Sequence, residues 1–164
     1  MLIPRAPDPS RLVADAMLGS LARKLRIFGY DTLYFRDGSD AELERLAIAE
    51  DRVIVTADRG LAGHSNRHGV RVLAVEGESD RERLVSLLAQ ARSTSLDLRA
   101  GSPRCAVCNS GLERVGRGVA EESLPAAVTS RHRLYYRCQA CRKLYWRGGH
   151  WRRLAKLSSV AKQR

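Results

Sequence analysis

Residues 11–35, RLVADAMLGSLARKLRIFGYDTLYF, carry the pattern that decides the fold. Arg11-Leu12-Val13-Ala14 is a short apolar run of strand type that stops at Asp15. Met17, Leu18, Leu21, Leu25 and Phe28 then recur at helical spacing, and Gly29 suits the left-handed stop of such a helix. Asp31–Phe35 (DTLYF) returns to a strand pattern. A strand, a helix and a strand in immediate succession make a βαβ unit, whose two strands lie parallel.

The same alternation continues downstream. Ser39-Asp40-Ala41-Glu42 has the S-x-x-E form of a capping box and opens a helix with Leu43, Leu46 and Ala47 inward. Val53–Thr56 (VIVT) and Val70–Val75 (VRVLAV) read as further buried strands. Ser79-Asp80-Arg81-Glu82 is a second capping box, ahead of a helix with Leu84, Leu87, Leu88 and Ala91. The expectation is an α/β fold, a three-layer domain on a parallel sheet, over residues 1–98. Residues 93–104 (STSLDLRAGSPR) turn to Ser, Thr, Gly and Pro and read as a linker. A small cysteine module is expected over 99–155, and a basic tail over 156–164.

Charge divides the chain at the same place. Residues 1–98 hold 14 Lys/Arg against 15 Asp/Glu, whereas residues 99–164 hold 15 against 3. The net charge of +11 therefore belongs to the C-terminal part, as expected of a module that faces a polyanion. The N-terminus, MLIPRAPDPS, has three prolines and no apolar run, and no stretch reaches the length of a membrane span. A soluble, cytoplasmic protein without membrane association is expected.

All four cysteines fall in two CxxC pairs, Cys105/Cys108 and Cys138/Cys141. Each pair can wrap a metal in a tight turn, and two such knuckles complete a tetrahedral tetrathiolate site for structural zinc. A module this small buries little core, so the metal would supply much of its folding energy. The competing reading, a redox CxxC, normally follows a strand in a thioredoxin-like unit. The 29 residues between the knuckles require a sizeable loop. Around the second knuckle aromatics alternate with cations: Tyr135, Tyr136 and Arg137, then Arg142, Lys143, Tyr145, Trp146 and Arg147, then Trp151 and Arg152. Stacking rings beside phosphate-binding cations suit RNA with single-stranded regions, and Arg137 and Trp146 are the contacts singled out. Tyr135, Tyr145 and Trp146 equally suit the small core of the ribbon itself.

No dinucleotide or P-loop motif occurs, and what remains in the first domain is the placement of its acids. Asp15 ends the first strand, Asp37 and Asp40 follow the second, Asp58 the third and Glu76 the fourth. Parallel sheets build sites outside the carboxyl ends of their strands, and converging carboxylates there suit Mg²⁺ or Mn²⁺. Each acid also has a plain structural reading: Asp15 as a helix cap, Asp40 as a first-turn charge, Asp58 as a turn residue. Spacing alone leaves the two readings level. Arg23, Arg26 and Arg59 lie near the acids and could hold phosphates, or equally pair with a carboxylate. His64, His68 and His132 show no ligand spacing in this reading and are expected as surface residues, and no role is assigned to His150.

Three segments of the first domain, DAMLGSLARKLRIFGYD (15–31), SDAEL (39–43) and VTADR (55–59), occur with two of the second, RCAVCNSGL (104–112) and RCQACRKLYWRGGH (137–150). Together they resemble the Mut-seven C-terminal RNase-like family, PIN-fold domains followed by a zinc ribbon. The resemblance spans roughly residues 11–151. It implies a PIN-like, metal-dependent ribonuclease in which Asp15, Asp40 and Asp58 bind Mg²⁺ or Mn²⁺, with Asp37 as a further candidate. Related PIN-like domains often carry another Asp two residues after the one matching Asp58; this chain has Gly60. Lys24 stands where Trp is expected in the LAR-x-LR stretch. The reading is thus a divalent-metal-dependent ribonuclease with an RNA-binding zinc ribbon. Its alternative is a non-catalytic RNA-binding or ribonucleoprotein module that kept the fold.

Overall fold

The computed structural model describes residues 10–148. The tail 156–164, the residues His150, Trp151 and Arg152, and the boundary expected at 155 lie outside the described residues.

Strand β1 (Arg11–Ala14) is followed by a 3₁₀ turn (Ala16–Leu18) and helix α1 (Gly19–Ile27), then by β2 (Thr32–Tyr34). Helix α2 (Asp40–Ala49), β3 (Arg52–Thr56), α3 (Arg59–Arg67), β4 (Val72–Ala74) and α4 (Asp80–Ser93) complete the first region. The strands form one parallel sheet in the order β2-β1-β3-β4. Alternation along each strand divides the core. Leu12, Ala14, Val53, Val55 and Leu73 face Leu18, Leu21, Leu25, Leu84 and Leu87 on the side of α1 and α4. Val13 and Ile54 face Leu43, Ala47 and Leu61 on the side of α2 and α3. This is the expected three-layer α/β arrangement. Both capping boxes form, Ser39 with Glu42 and Ser79 with Glu82.

Helix α3 was not foreseen, because RGLAGHSNR has two glycines and only Leu61, Ala62 and Ser65 buried. Its start is fixed by Asp58, whose side chain accepts from the Gly60 and Leu61 amides.

The second region is a three-stranded antiparallel sheet, β5 (Leu112–Val115), β6 (Tyr135–Cys138) and β7 (Leu144–Trp146) in that order. Between β5 and β6 the long insertion folds as two short helices, α5 (Arg117–Glu121) and α6 (Ala126–Thr129). Tyr135 is fully buried and forms the region's small core, its hydroxyl donating to the His132 carbonyl.

Residues 93–104 do not behave as a free spacer. Leu96 and Leu98 pack on the α1/α4 core, the Gly101 amide donates to the Gly29 carbonyl (3.1 Å), and the Arg104 amide donates to the Arg26 carbonyl (2.8 Å). Gly29 has φ +96°, and a Cβ there would sit 2.2 Å from the Gly101 carbonyl oxygen. Only glycine allows both the turn and the close approach.

Candidate functional site

In the order β2-β1-β3-β4 the chain leaves β1 in one direction and returns to β3 on its other side. The switch point therefore lies between β1 and β3, and it is beyond the carboxyl ends of such strands that parallel sheets build their sites. Asp15 and Asp58 follow these two strands and are joined through one hydroxyl. Thr56 Oγ1 donates to Asp15 Oδ2 and accepts from the Asp58 amide (2.9 Å). Asp15 also caps the 3₁₀ turn, its Oδ1 accepting from the Met17 amide (2.9 Å). Asp58 Oδ1 accepts from Gly60 (2.6 Å) and Leu61 (3.1 Å).

Asp15 is buried, and burial raises its carboxyl above the usual range, with the charge of Asp58 adding to it; bonds from Thr56, Met17 and Ala57 only partly offset this. A cation beside it would return it to the charged form. The two carboxylates offer oxygen only, the donor set that suits Mg²⁺ or Mn²⁺. Asp40 opens α2 and Asp37 lies in the turn before it, both exposed at the same edge of the sheet. Among the described residues, no three of these acids gather within 4.8 Å of one another. A Cβ at Gly60 would stand 3.0 Å from Asp58 Oδ1, a tight contact to which the cap would have to yield slightly.

The arginines part company. Arg23 is exposed on α1, and Arg59 is exposed in an ion pair with Glu76 (2.8 Å) at the acid edge. Arg26 requires correction as a phosphate contact. It is 5% exposed, its Nε donates to the Thr32 carbonyl (2.7 Å), and its Nη1 donates to the carbonyls of Ala106 and Val107 (both 2.9 Å). It ties α1 to the first cysteine turn, and sequence gave no sign of this because backbone carbonyls carry no residue signature.

The four sulfurs do come together. Cys105 Sγ lies 3.5 Å from Cys141 Sγ, and Cys108 Sγ 3.4 Å from Cys138 Sγ. Each close pair joins one knuckle to the other. The separations far exceed the ~2.05 Å of a disulfide and approach the ~3.8 Å edge of a tetrahedron with 2.3 Å metal–sulfur bonds. The knuckles are twins in bonding. The Cys105 amide donates to Ser110 and the Asn109 amide to Cys105; the Cys138 amide donates to Lys143 and the Arg142 amide to Cys138. Asn109 (φ +68°) and Arg142 (φ +63°) take the left-handed turn in each.

Burial opposes ionisation of Cys108, but hydrogen bonds from Ser110 and the neighbouring thiols bring it down to about 6. For Cys141 the Lys143 amide favours the thiolate, yet burial and the other three sulfurs push it up to about 12. Four thiolates at this spacing are compatible only with a cation among them, so the donor set fits zinc. Tyr145 is an unforeseen member of the site: its hydroxyl lies 3.0 Å from Cys105 Sγ and accepts from the Ala106 amide (3.1 Å).

Asn109 was also missed. Its side chain accepts from the Thr32 amide (3.2 Å) and donates to Asp31 Oδ1 (2.9 Å). Asp31 meanwhile receives Arg52 (2.7 Å) and Arg104 (3.3 Å). The second region is thus bolted to the first by polar groups at the edge of β2.

Arg137 lies on β6, with its guanidinium on Glu113 (2.9 Å). Trp146 is half-buried and lines a groove of about 200 Å³ with Ile27, Pro103, Tyr136 and Arg147.

Fold and site together define a class: a parallel α/β domain with carboxylates at its switch point, followed by a four-cysteine ribbon. The model of the family described as Mut7-C RNAse domain matches residues 10–158, and the chain belongs to that family. No curated protein and no solved structure matches the chain. No helix among the described residues is long and apolar enough to cross a membrane.

Proposed function

We propose that this chain is a divalent-metal-dependent ribonuclease whose ribbon holds one zinc ion and grips single-stranded stretches of RNA. The observation that carries this reading is the Asp15–Thr56–Asp58 chain at the switch point, in a chain that belongs to an RNAse-domain family. Asp15 and Asp58, with Asp40 from α2 and Asp37 beside it, would hold Mg²⁺ or Mn²⁺, which supplies charge neutralisation and activation of water. Thr56 fixes the rotamer of Asp15 and the backbone of Asp58, so the two carboxylates present a set geometry. Arg59, next to Asp58 in the chain, and the exposed Arg23 of α1 would supply charge to the phosphates flanking the scissile bond. In the ribbon, Arg137 supplies charge, and Trp146 offers a ring at the edge of an apolar groove beside Arg147.

The test is cleavage of single-stranded and structured RNA with Mn²⁺ or Mg²⁺. Asp15→Asn and Asp58→Asn are expected to abolish cleavage and leave RNA binding nearly unchanged. A variant that cuts as fast as the parent removes that residue from the site.

A second reading has its own observation. Among the described residues the acids do not gather three together as the sulfurs do four, and Gly60 stands where related PIN-like domains often carry a further Asp. Under that reading the chain binds RNA without cutting it, and the parent shows no cleavage with either metal.

A further inference from the structure

His64 and His68 lie four residues apart in α3, so their rings share one helix face. Their ring centroids are 4.1 Å apart with the planes nearly perpendicular (87°). Both rings face Glu44, which lies on α2 one turn beyond Asp40. His64 Nε2 is 3.9 Å and His68 Nδ1 is 3.8 Å from the same oxygen, Glu44 Oε2. Donor atoms of the three residues lie within 4.8 Å of one another.

The carboxylate is aimed. The Glu44 side chain is only 12% exposed, and its other oxygen accepts from the hydroxyl of Ser65 (2.6 Å), itself fully buried. One oxygen is thereby held by the protein while its twin is turned towards two imidazoles. Both imidazoles are about half exposed, which leaves an approach from solvent.

We propose that Glu44, His64 and His68 form a divalent-metal site, for zinc foremost, that fastens α3 to α2. Two imidazole nitrogens and one carboxylate oxygen are the donors of a borderline ion such as Zn²⁺, whereas Mg²⁺ prefers oxygen alone. With bonds of about 2.0–2.1 Å, tetrahedral geometry puts donors about 3.3 Å apart, so the imidazoles would draw in by about half an ångström. Water completes the coordination. Ser65 is the outer partner that orients a ligating carboxylate. The site is separate from the four cysteines, and it does not rest on the nuclease reading. Its place does bear on the acid edge: α2 begins at Asp40 and α3 is capped by Asp58, so a clamp between these helices fixes the elements that carry both.

The test is a calorimetric zinc titration of the full-length chain, purified with its ribbon cysteines reduced and already zinc-saturated. Imidazole NMR signals are followed in parallel. The readout is the difference between the parent and the His64→Gln/His68→Gln variant, both solvent-exposed changes. The parent is expected to take one zinc equivalent more than the variant, with the His64 and His68 signals shifting and that of His132 staying put. Ser65→Ala is expected to weaken this binding by about ten-fold or more. Magnesium at the same concentration should leave the imidazole signals unmoved. Equal zinc uptake by parent and double variant, or equal shifts with magnesium, would overturn the site.

Discussion

The two regions of this molecule are held together by opposite means. The first buries continuous apolar layers on both faces of its sheet, built from Leu, Val, Ile and Ala of eight elements. The second buries Tyr135, Ala120 and two of its own cysteines, with a few polar groups. A core of the first kind tolerates the loss of one side chain at a finite cost, because the remaining contacts persist. A cluster of four sulfurs is close to all-or-none, since three ligands leave an open and unbalanced site.

The largest expected effect follows from that difference. Cys138→Ser, or removal of metal by a strong chelator, should abolish the ribbon's fold outright, as structural zinc binding is worth on the order of 10 kcal/mol. Metal content and near-ultraviolet circular dichroism should collapse while the helix signal of the first region persists. That region should nevertheless melt earlier, because Arg26 exchanges two carbonyl acceptors for water, at a cost of about 1–3 kcal/mol for hydrogen bonds to a charged group.

Leu25→Ala should cost about 2–5 kcal/mol in urea unfolding and leave the metal content unchanged. Gly29→Ala attacks the seam instead. The positive φ alone costs about 1–3 kcal/mol, and the clash with the Gly101 carbonyl should speed hydrogen exchange at Gly101 and Arg104.

Two acids give smaller effects of opposite sign. Burial raises the Asp15 carboxyl, so Asp15→Asn should raise the unfolding temperature at neutral pH, where the parent pays for a charged, buried group beside Asp58. Asp31 goes the other way. Burial alone would raise its carboxyl, but hydrogen bonds from Arg52 and Asn109 and the charges of Arg52 and Arg104 hold it below the usual range. Its contribution is therefore complete above the unfolded value of about 4 and is lost as pH falls through the lower folded value. The difference in stability between the parent and Asp31→Asn should be constant at neutral pH and shrink below about pH 4.

Much of the fold was legible because it is written locally. β1 occupies the residues its apolar run marked, and both S-x-x-E boxes cap helices. The cysteine cluster was legible for the same reason, since CxxC spacing is a local geometric constraint. What escaped depends on partners far away in sequence. Arg26 reaches carbonyls about 80 residues on, Asn109 reads as a turn residue until Asp31 is set beside it, and Tyr145 looks like any core ring until its hydroxyl meets Cys105. Helix α3 escaped for a different cause. Its apolar pattern is too sparse to announce a helix, and without the helix the four-residue spacing of His64 and His68 carried no meaning.

The polar seam also bears on how such a protein can be recombined. A ribbon exchanged between relatives, or appended to another sheet, would arrive without Arg26, Gly29 and Asp31, the residues of the host that receive it. The inheritable unit is therefore larger than the cysteine module. It reaches back across α1 and β2, and exchange joints placed in residues 93–104 would cut into the seam at Gly101 and Arg104.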